Sequence, residues 1–278
     1  MTVVVTGATG TVGRHVVQQL IDAGRPVRAV TRNPAGAGQP APVEVFGADL
    51  DEPDSLASAF TGAESLFLLS HPATAVEVTR LARRCGIGRI VTLTSVLADR
   101  EPPGAPHHLL VEHAVESAGV AWTHVRPGMF ASNLLGWAAD IRREGVVREP
   151  YSDAAQTPIH EADVAAVAVA ALLHDGHAGR IHRLSGPQSL TKPEQVAAIG
   201  AALGRRLDFE EIEPEAWRRA RADSVPGFVQ DLLLEIWSRS TEFPEPVLPT
   251  VEEVTGRPGR TLTEWARDHR RHFGGESR

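Results

Sequence analysis

The chain has 278 residues but only one cysteine, one tyrosine and two methionines, and Lys192 is its single lysine. The lone thiol, Cys85, excludes a disulfide within the chain and any zinc site built from cysteines. Tyr151 and Lys192 lie far apart in sequence and have no second copy, so chemistry that needs a tyrosine and a lysine one helical turn apart is excluded. Positive charge is also short, with 28 basic against 35 acidic residues and a formal net charge of −7. With no basic run either, a dedicated nucleic-acid binder is excluded. No apolar stretch is long enough, and free enough of charge, to span a bilayer. The N-terminus reads directly as a strand rather than as a secretory signal. His160 and Asp163 have no third ligand at a supporting spacing, so no metal site is expected. These absences describe a cytoplasmic protein that meets neither nucleic acid nor membrane, long enough for one large or two modest domains.

What is present is concentrated in the first thirteen residues. Val3, Val4 and Val5 read as a short buried strand that runs straight into Gly7, Gly10 and Gly13. A helical pattern over 15–21 follows and stops at Gly24. Strand, glycine turn and helix in that order form a site for a dinucleotide pyrophosphate. Gly7 allows the tight turn, Gly10 lets the backbone approach the phosphates, and Gly13 lets the helix sit close on the strand. The unpaired N–H groups of the helix start, on the loop of Thr9, Thr11 and Val12, face the anion with the helix dipole behind them.

Five further short apolar strands follow at 26–31, 43–47, 66–69, 89–95 and 121–126, separated by helical patterns at 53–60, 75–85 and 106–118. The alternation specifies an α/β fold with a doubly wound parallel sheet, whose ligands gather at the C-terminal strand ends. That rim carries the glycines, Arg32, Asp49, Leu50, Ser70, His71, Thr94, Ser95 and Pro127. Beyond the second strand a carboxylate for the adenosine ribose is expected in an NAD site. The chain has Thr31-Arg32-Asn33 instead, and a guanidinium suits the 2′-phosphate of NADP. Arg32 is otherwise an ordinary loop arginine. Asp49 could accept from the adenine amino group or serve a turn. The second half is less regular, with helices at 161–173 and 192–203, the latter between a Thr191 cap and a Gly204 stop. A strand at 181–184, helices at 214–222, 228–237 and 262–273, and a disordered tail from 274 complete the reading.

The motifs together resemble the NmrA-like family of NAD(P)-binding atypical short-chain dehydrogenase/reductases. The carrying stretches are Thr6-Gly7-Ala8-Thr9-Gly10-Thr11-Val12-Gly13, Arg32-Asn33-Pro34, Gly47-Ala48-Asp49-Leu50, His108-x-x-x-Glu112, and Val125-Arg126-Pro127-Gly128-Met129-Phe130-x-x-Asn133. Later ones are Ile159-His160-Glu161-Ala162-Asp163, Leu184-Ser185-Gly186-Pro187 and Gly256-Arg257-Pro258-Gly259-Arg260-Thr261-Leu262. The resemblance implies a Rossmann domain over 1–150 and a smaller, mixed α/β substrate lobe over 151–278, with some chain exchanged between them. It implies a small-molecule substrate, and a monomer or homodimer.

Most short-chain reductases use a Tyr-x-x-x-Lys pair, which this chain cannot form. His108 and Glu112 stand in its place, and their spacing puts them on one helix face. By resemblance that face looks at the nicotinamide. A protonated imidazole could deliver a proton with the carboxylate favouring its charged form; Glu112 could instead accept from a ribose hydroxyl. A register off by one substitutes His107 and Val111, and a plain exposed His–Glu pair is the alternative without function. Ser95 and Thr94 could bind a substrate carbonyl or cap backbone, and His71 could line the cofactor channel or be a loop residue. Phe130, Asn133 and Trp137 could wall the substrate pocket or belong to the core. Three activities fit: an NADP(H)-dependent reductase of quinones or conjugated carbonyls, a non-catalytic NADP(H)-sensing regulator, and a non-redox enzyme that uses the cofactor as scaffold. Arg32→Glu is expected to weaken NADPH binding far more than NADH binding in parallel fluorescence titrations; an equal fall in both, or none, refutes the 2′-phosphate assignment.

Overall fold

The computed structural model describes residues 1–100 and 107–275. In chain order its elements are β1 (Val3–Val5), α1 (Gly13–Asp22), β2 (Val27–Thr31), β3 (Glu44–Gly47), α2 (Ala57–Phe60), β4 (Ser65–Leu69), α3 (Ala75–Arg84), β5 (Arg89–Leu93), α4 (His107–Glu116) and β6 (Ala121–Pro127). There follow α5 (Ala138–Arg143), β7 (Val146–Glu149), α6 (Glu161–Leu173), β8 (Arg180–Leu184), α7 (Lys192–Leu203), β9 (Asp208–Glu211), α8 (Pro214–Arg221), α9 (Gly227–Glu242), α10 (Thr250–Thr255) and α11 (Leu262–Asp268). The helix expected over 106–118 is seen from His107, Pro106 lying outside the described residues. Two compact units result. The first takes Met1–Gly128, Glu161–Leu184 and Thr250–Arg257; the second takes Met129–His160, Ser185–Pro249 and Pro258–Arg278.

The first unit is built on a seven-stranded sheet in the order β3-β2-β1-β4-β5-β6-β8, with every pair parallel. Parallel strands are covered on both faces and read as unbroken apolar runs. That is why Val3, Val4 and Val5 are all fully buried. On one face Leu56, Phe60, Val78, Leu81, Val111 and Val115 pack over Val4, Val30, Leu66, Leu68 and Ile90. On the other, α6 lies beside α1 and over β4, β5 and β6. Its run of small alanines and valines is buried on nearly all sides, which permits that close approach. The chain builds outward from β1 through β2 to β3, then returns to the other side of β1 as β4, so the sheet reverses order between β1 and β4. This is the Rossmann arrangement, and such a reversal opens a crevice at the strand ends. Thr6 fastens that point: its hydroxyl donates to Phe67 O at 3.0 Å and accepts from Leu69 N–H at 2.8 Å. Strand β8, read from sequence among the pieces of the second half, is the seventh strand of this sheet.

The second unit contains a parallel pair, β7 and β9, that the sequence reading missed. Their sequences, VVRE and DFEE, are too short and too charged for an apolar signal. The unit's core joins Leu134, Ile141, Val147, Val196, Ile199, Trp265 and Phe273. Helix α7 has its expected cap at Thr191, which forms a capping box with Glu194, and a left-handed stop at Gly204, φ 69°. The helix expected over 262–273 is broken: α11 ends at Asp268 and a 3-10 turn, Arg270–Phe273, follows. Gly274 and Gly275 are hydrogen-bonded to that turn rather than part of a free tail. Among the described residues, no helix is long and apolar enough to cross a membrane.

The chain's only lysine belongs to this second core. Lys192 is 2% exposed, and its Nζ stands 3.4 Å from the centre of the Trp237 ring and 3.6 Å from Glu149 Oε2. The other Glu149 oxygen accepts from Trp137 Nε1 at 2.9 Å. Burial pushes the Lys192 ammonium from its ordinary value of 10.5 down to about 8, with Glu149 opposing the shift. Because the folded value lies below the unfolded one, the unfolded chain holds more protons between them, and stability rises with pH across that window. Relative to Lys192→Met, the unmodified protein should gain about 3 kcal/mol of unfolding free energy from pH ~7.5 to pH ~10.5, read from urea unfolding at a series of pH values. A difference that stays flat refutes it.

Candidate cofactor and active site

The glycine loop shows why each of its glycines is there. Gly7 sits at φ 60°, and Gly10 N–H donates back to Gly7 O at 2.9 Å. A Cβ on Gly13 would fall 2.1 Å from Gly7 O, and one on Gly10 would fall 3.1 Å from the same atom. No side chain fits at Gly13 without moving backbone, so the start of α1 lies directly on the turn after β1. Helix α1 has no side-chain cap and no acidic residue in its first turn. Among the described residues the N–H groups of Thr11, Val12 and Gly13 donate to no backbone carbonyl, and Thr9, Gly10 and Thr11 are exposed. The result is a cradle of uncapped donors, tightened by three glycines, at the positive end of a helix and at the point where strand order reverses. It fits a dinucleotide pyrophosphate.

The neighbouring strand ends add three groups. Past β2, Arg32 is exposed and has no ion-pair or hydrogen-bond partner among the described residues. The loop after it turns back, and Gln39 Nε2 donates to Ala8 O at 3.3 Å. Past β3, Asp49 is engaged in a turn: its Oδ1 accepts from Asp51 N–H at 3.1 Å and its own N–H donates to Ser55 Oγ at 3.0 Å. Leu50 O accepts from the Thr74 hydroxyl at 2.5 Å, and His71 Nε2 lies 2.7 Å from Asp51 Oδ1. These bonds hold the loops after β3 and β4 together. Past β4, Ser70 Oγ lies 3.4 Å from His108 Nδ1 at the start of α4. Two residues read separately from sequence are thus one contact. His107 of the alternative register is exposed, and its companion Val111 is fully buried.

Several expectations change. Glu112 is 2% exposed and both its oxygens are taken. Oε1 accepts from Thr94 Oγ1 at 2.6 Å and Arg126 Nε at 2.9 Å, and Oε2 accepts from Arg126 Nη2. Burial pushes the Glu112 carboxyl up, but the hydrogen bonds from Arg126 and Thr94 outweigh it and hold it below its ordinary value. It is an ionised, satisfied anchor, not a group open to a ribose hydroxyl. Thr94 is consumed by the same bond. Ser95 accepts from Leu97 N–H at 3.1 Å and caps a 3-10 turn, Val96–Asp99. Pro127 is the buried last residue of β6, beside Leu184. Trp137 is 7% exposed and bound to Glu149, a core residue of the second unit. Phe130 is half-buried and pairs through its backbone with Ile159, and Asn133 is exposed in the 3-10 turn Ala131–Trp137. Sequence reasoning missed the roles of Arg126, Asp99 and Arg183. The only local signal was an arginine at the end of a buried strand.

Strand order and glycine loop together define the class of Rossmann-fold proteins with a nucleotide cradle at the switch point. The NmrA-like family model matches residues 1–235. The chain is 40% identical to the (4-alkanoyl-5-oxo-2,5-dihydrofuran-3-yl)methyl phosphate reductase of Streptomyces griseus subsp. griseus, across 99% of this chain and 100% of that protein. It is 34% identical to the NAD(P)H azoreductase of Xenophilus azovorans, across 98% and 99%. A crystal structure of an NADPH-dependent quinone oxidoreductase from Escherichia coli, complexed with NADPH, matches with a TM-score of 0.80 at 26% identity, covering 96% of this chain and 99% of that one. The chain belongs to the NmrA-like family. Gly13→Ala should weaken NADPH binding by about tenfold or more, since the added methyl must push α1 off the turn that presents its N–H groups. Unchanged affinity in a fluorescence titration would show that the cradle is not the cofactor site.

Proposed function

We propose that this protein is an NADP(H)-dependent oxidoreductase that reduces a quinone or other conjugated carbonyl compound. The observation that carries the reading is the Cβ-free contact of Gly13 with Gly7 O, which places the uncapped start of α1 at the switch point. Reductases that use a nicotinamide cofactor match the chain over nearly its whole length. The alternative of a non-catalytic regulator has nothing in its favour beyond the missing Tyr-x-x-x-Lys pair.

In this reading the backbone N–H groups of Thr11, Val12 and Gly13 hold the pyrophosphate, and Gly7, Thr9 and Gly10 shape the turn that lets it approach. Arg32, with no carboxylate partner among the described residues, takes the 2′-phosphate. Asp49, whose Oδ2 lies outside its own turn bond, and Leu50 flank the adenine. Bound NADPH supplies a hydride, which together with one proton converts a quinone to its hydroquinone and leaves NADP⁺. Ser70 and His108 stand at the hydride end. The Ser70 hydroxyl holds His108 through Nδ1, and the imidazole delivers the proton to the substrate oxygen. A quinone needs less acid help than a ketone, because aromatisation already drives its reduction.

The test mixes the protein with NADPH and benzoquinone, menadione or cyclohexenone, and follows the reduced-nicotinamide absorbance against a no-protein control. Turnover with at least one acceptor is expected. His108→Ala should lower kcat by about 10²-fold while leaving NADPH affinity unchanged. Unaltered turnover would remove His108 from the mechanism. Tight NADPH binding without oxidation by any acceptor would overturn the reductase reading.

A further inference from the structure

The Arg126 guanidinium, at the end of β6, is 5% exposed and donates through all three of its nitrogens. Its Nε and Nη2 grip the two oxygens of Glu112 on α4. Its Nη1 donates to Asp99 Oδ1 at 2.5 Å, at the end of the 3-10 turn Val96–Asp99. Asp99 in turn accepts from Arg183 of β8 at 2.7 and 2.6 Å, and Thr94 donates to Glu112 from beyond β5. One chain of charge-assisted bonds thus ties the ends of three neighbouring strands to α4 and to the turn that Ser95 caps.

Stability alone does not account for it. A buried ion pair repays little more than the desolvation of its members, and apolar side chains of the same volume would serve the fold as well. What the bidentate grip supplies is geometry. A planar guanidinium holding both carboxylate oxygens fixes the carboxylate in orientation as well as distance. Glu112 therefore cannot turn about the α4 axis, and α4 cannot slide along it. His108 lies one helical turn toward the N-terminus on the same face, where it meets Ser70.

We propose that Glu112 and Arg126 are positioning residues for turnover: their bidentate pair sets the rotation of α4 and so holds His108 against Ser70 at the hydride end of the site. This rests on the reading of His108 as proton donor. Neither residue touches substrate or cofactor, so both act on the reaction only through His108.

A double-mutant cycle in kcat tests it, with NADPH and menadione saturating and folding checked by circular dichroism. Glu112→Gln should lower kcat by about tenfold while NADPH Kd stays within about twofold, the signature of a group acting on the transition state. In a His108→Ala background the same change should cost nothing further. Independent, multiplying losses would overturn the proposal, as would a Glu112→Gln enzyme with full kcat when His108→Ala has lost it. If His108→Ala itself turns over normally, the proton-donor reading falls and the proposal with it. Should Glu112→Gln fail to fold, the paired replacement Glu112→Leu/Arg126→Met leaves no charge stranded between the two and enters the same cycle with the same expectations.

Discussion

The contact between Gly13 and the carbonyl of Gly7 governs the working end of this molecule. With no Cβ to keep them apart, the first turn of α1 rests on the turn that leaves β1. The peptide dipoles of the helix then end at the surface of the loop, where no side chain among the described residues caps them. Neighbouring features depend on this seating. Thr6 locks the end of β1 to β4, and Gln39 brings the loop beyond β2 back to Ala8. A side chain at Gly13 would fall on Gly7 and Ala8, which follow Thr6, and it is Ala8 O that accepts from Gln39.

A division of labour follows from the parallel sheet. The central strands β1 and β4 are largely apolar and satisfy their backbone groups through the ladder, so they supply chiefly burial. All strands point the same way, so their C-terminal ends collect on one rim, where the chain leaves regular structure and needs other hydrogen-bond partners. There the protein spends its polar side chains. Asp49 and Ser95 complete turns, His71 and Thr74 join loops, and Arg126 gathers two carboxylates. A buried network of this kind is worth having only when complete, and among the described residues both Glu112 oxygens are indeed met.

The two residues that most related reductases pair for proton transfer have separate fates here. Lys192 is enclosed by Trp237 and Glu149 in the second unit. Tyr151, also in the second unit, adopts a left-handed backbone conformation beside Ser152, which Glu211 holds. The rim of the first unit presents Ser70 and His108 in contact.

Features that the sequence alone determined are those with short-range causes. The apolar runs became strands, the glycine spacing became the cradle, and Thr191 and Gly204 became the ends of α7. Each depends on residues within a few positions of one another. Tertiary structure decided which alternative each polar rim residue took. Glu112 reads as a partner for His108 because helical spacing is visible in sequence; its actual partner, Arg126, arrives on the next strand, and Asp99 meets Arg183 across 84 positions. The place of β8 beside β6 and the pairing of β7 with β9 were hidden for the same reason, and of the two alternatives open for Trp137 the fold took the core. A local pattern records what a residue can do with its neighbours in the chain. Which of its hydrogen bonds is made depends on groups that only folding brings within three ångströms.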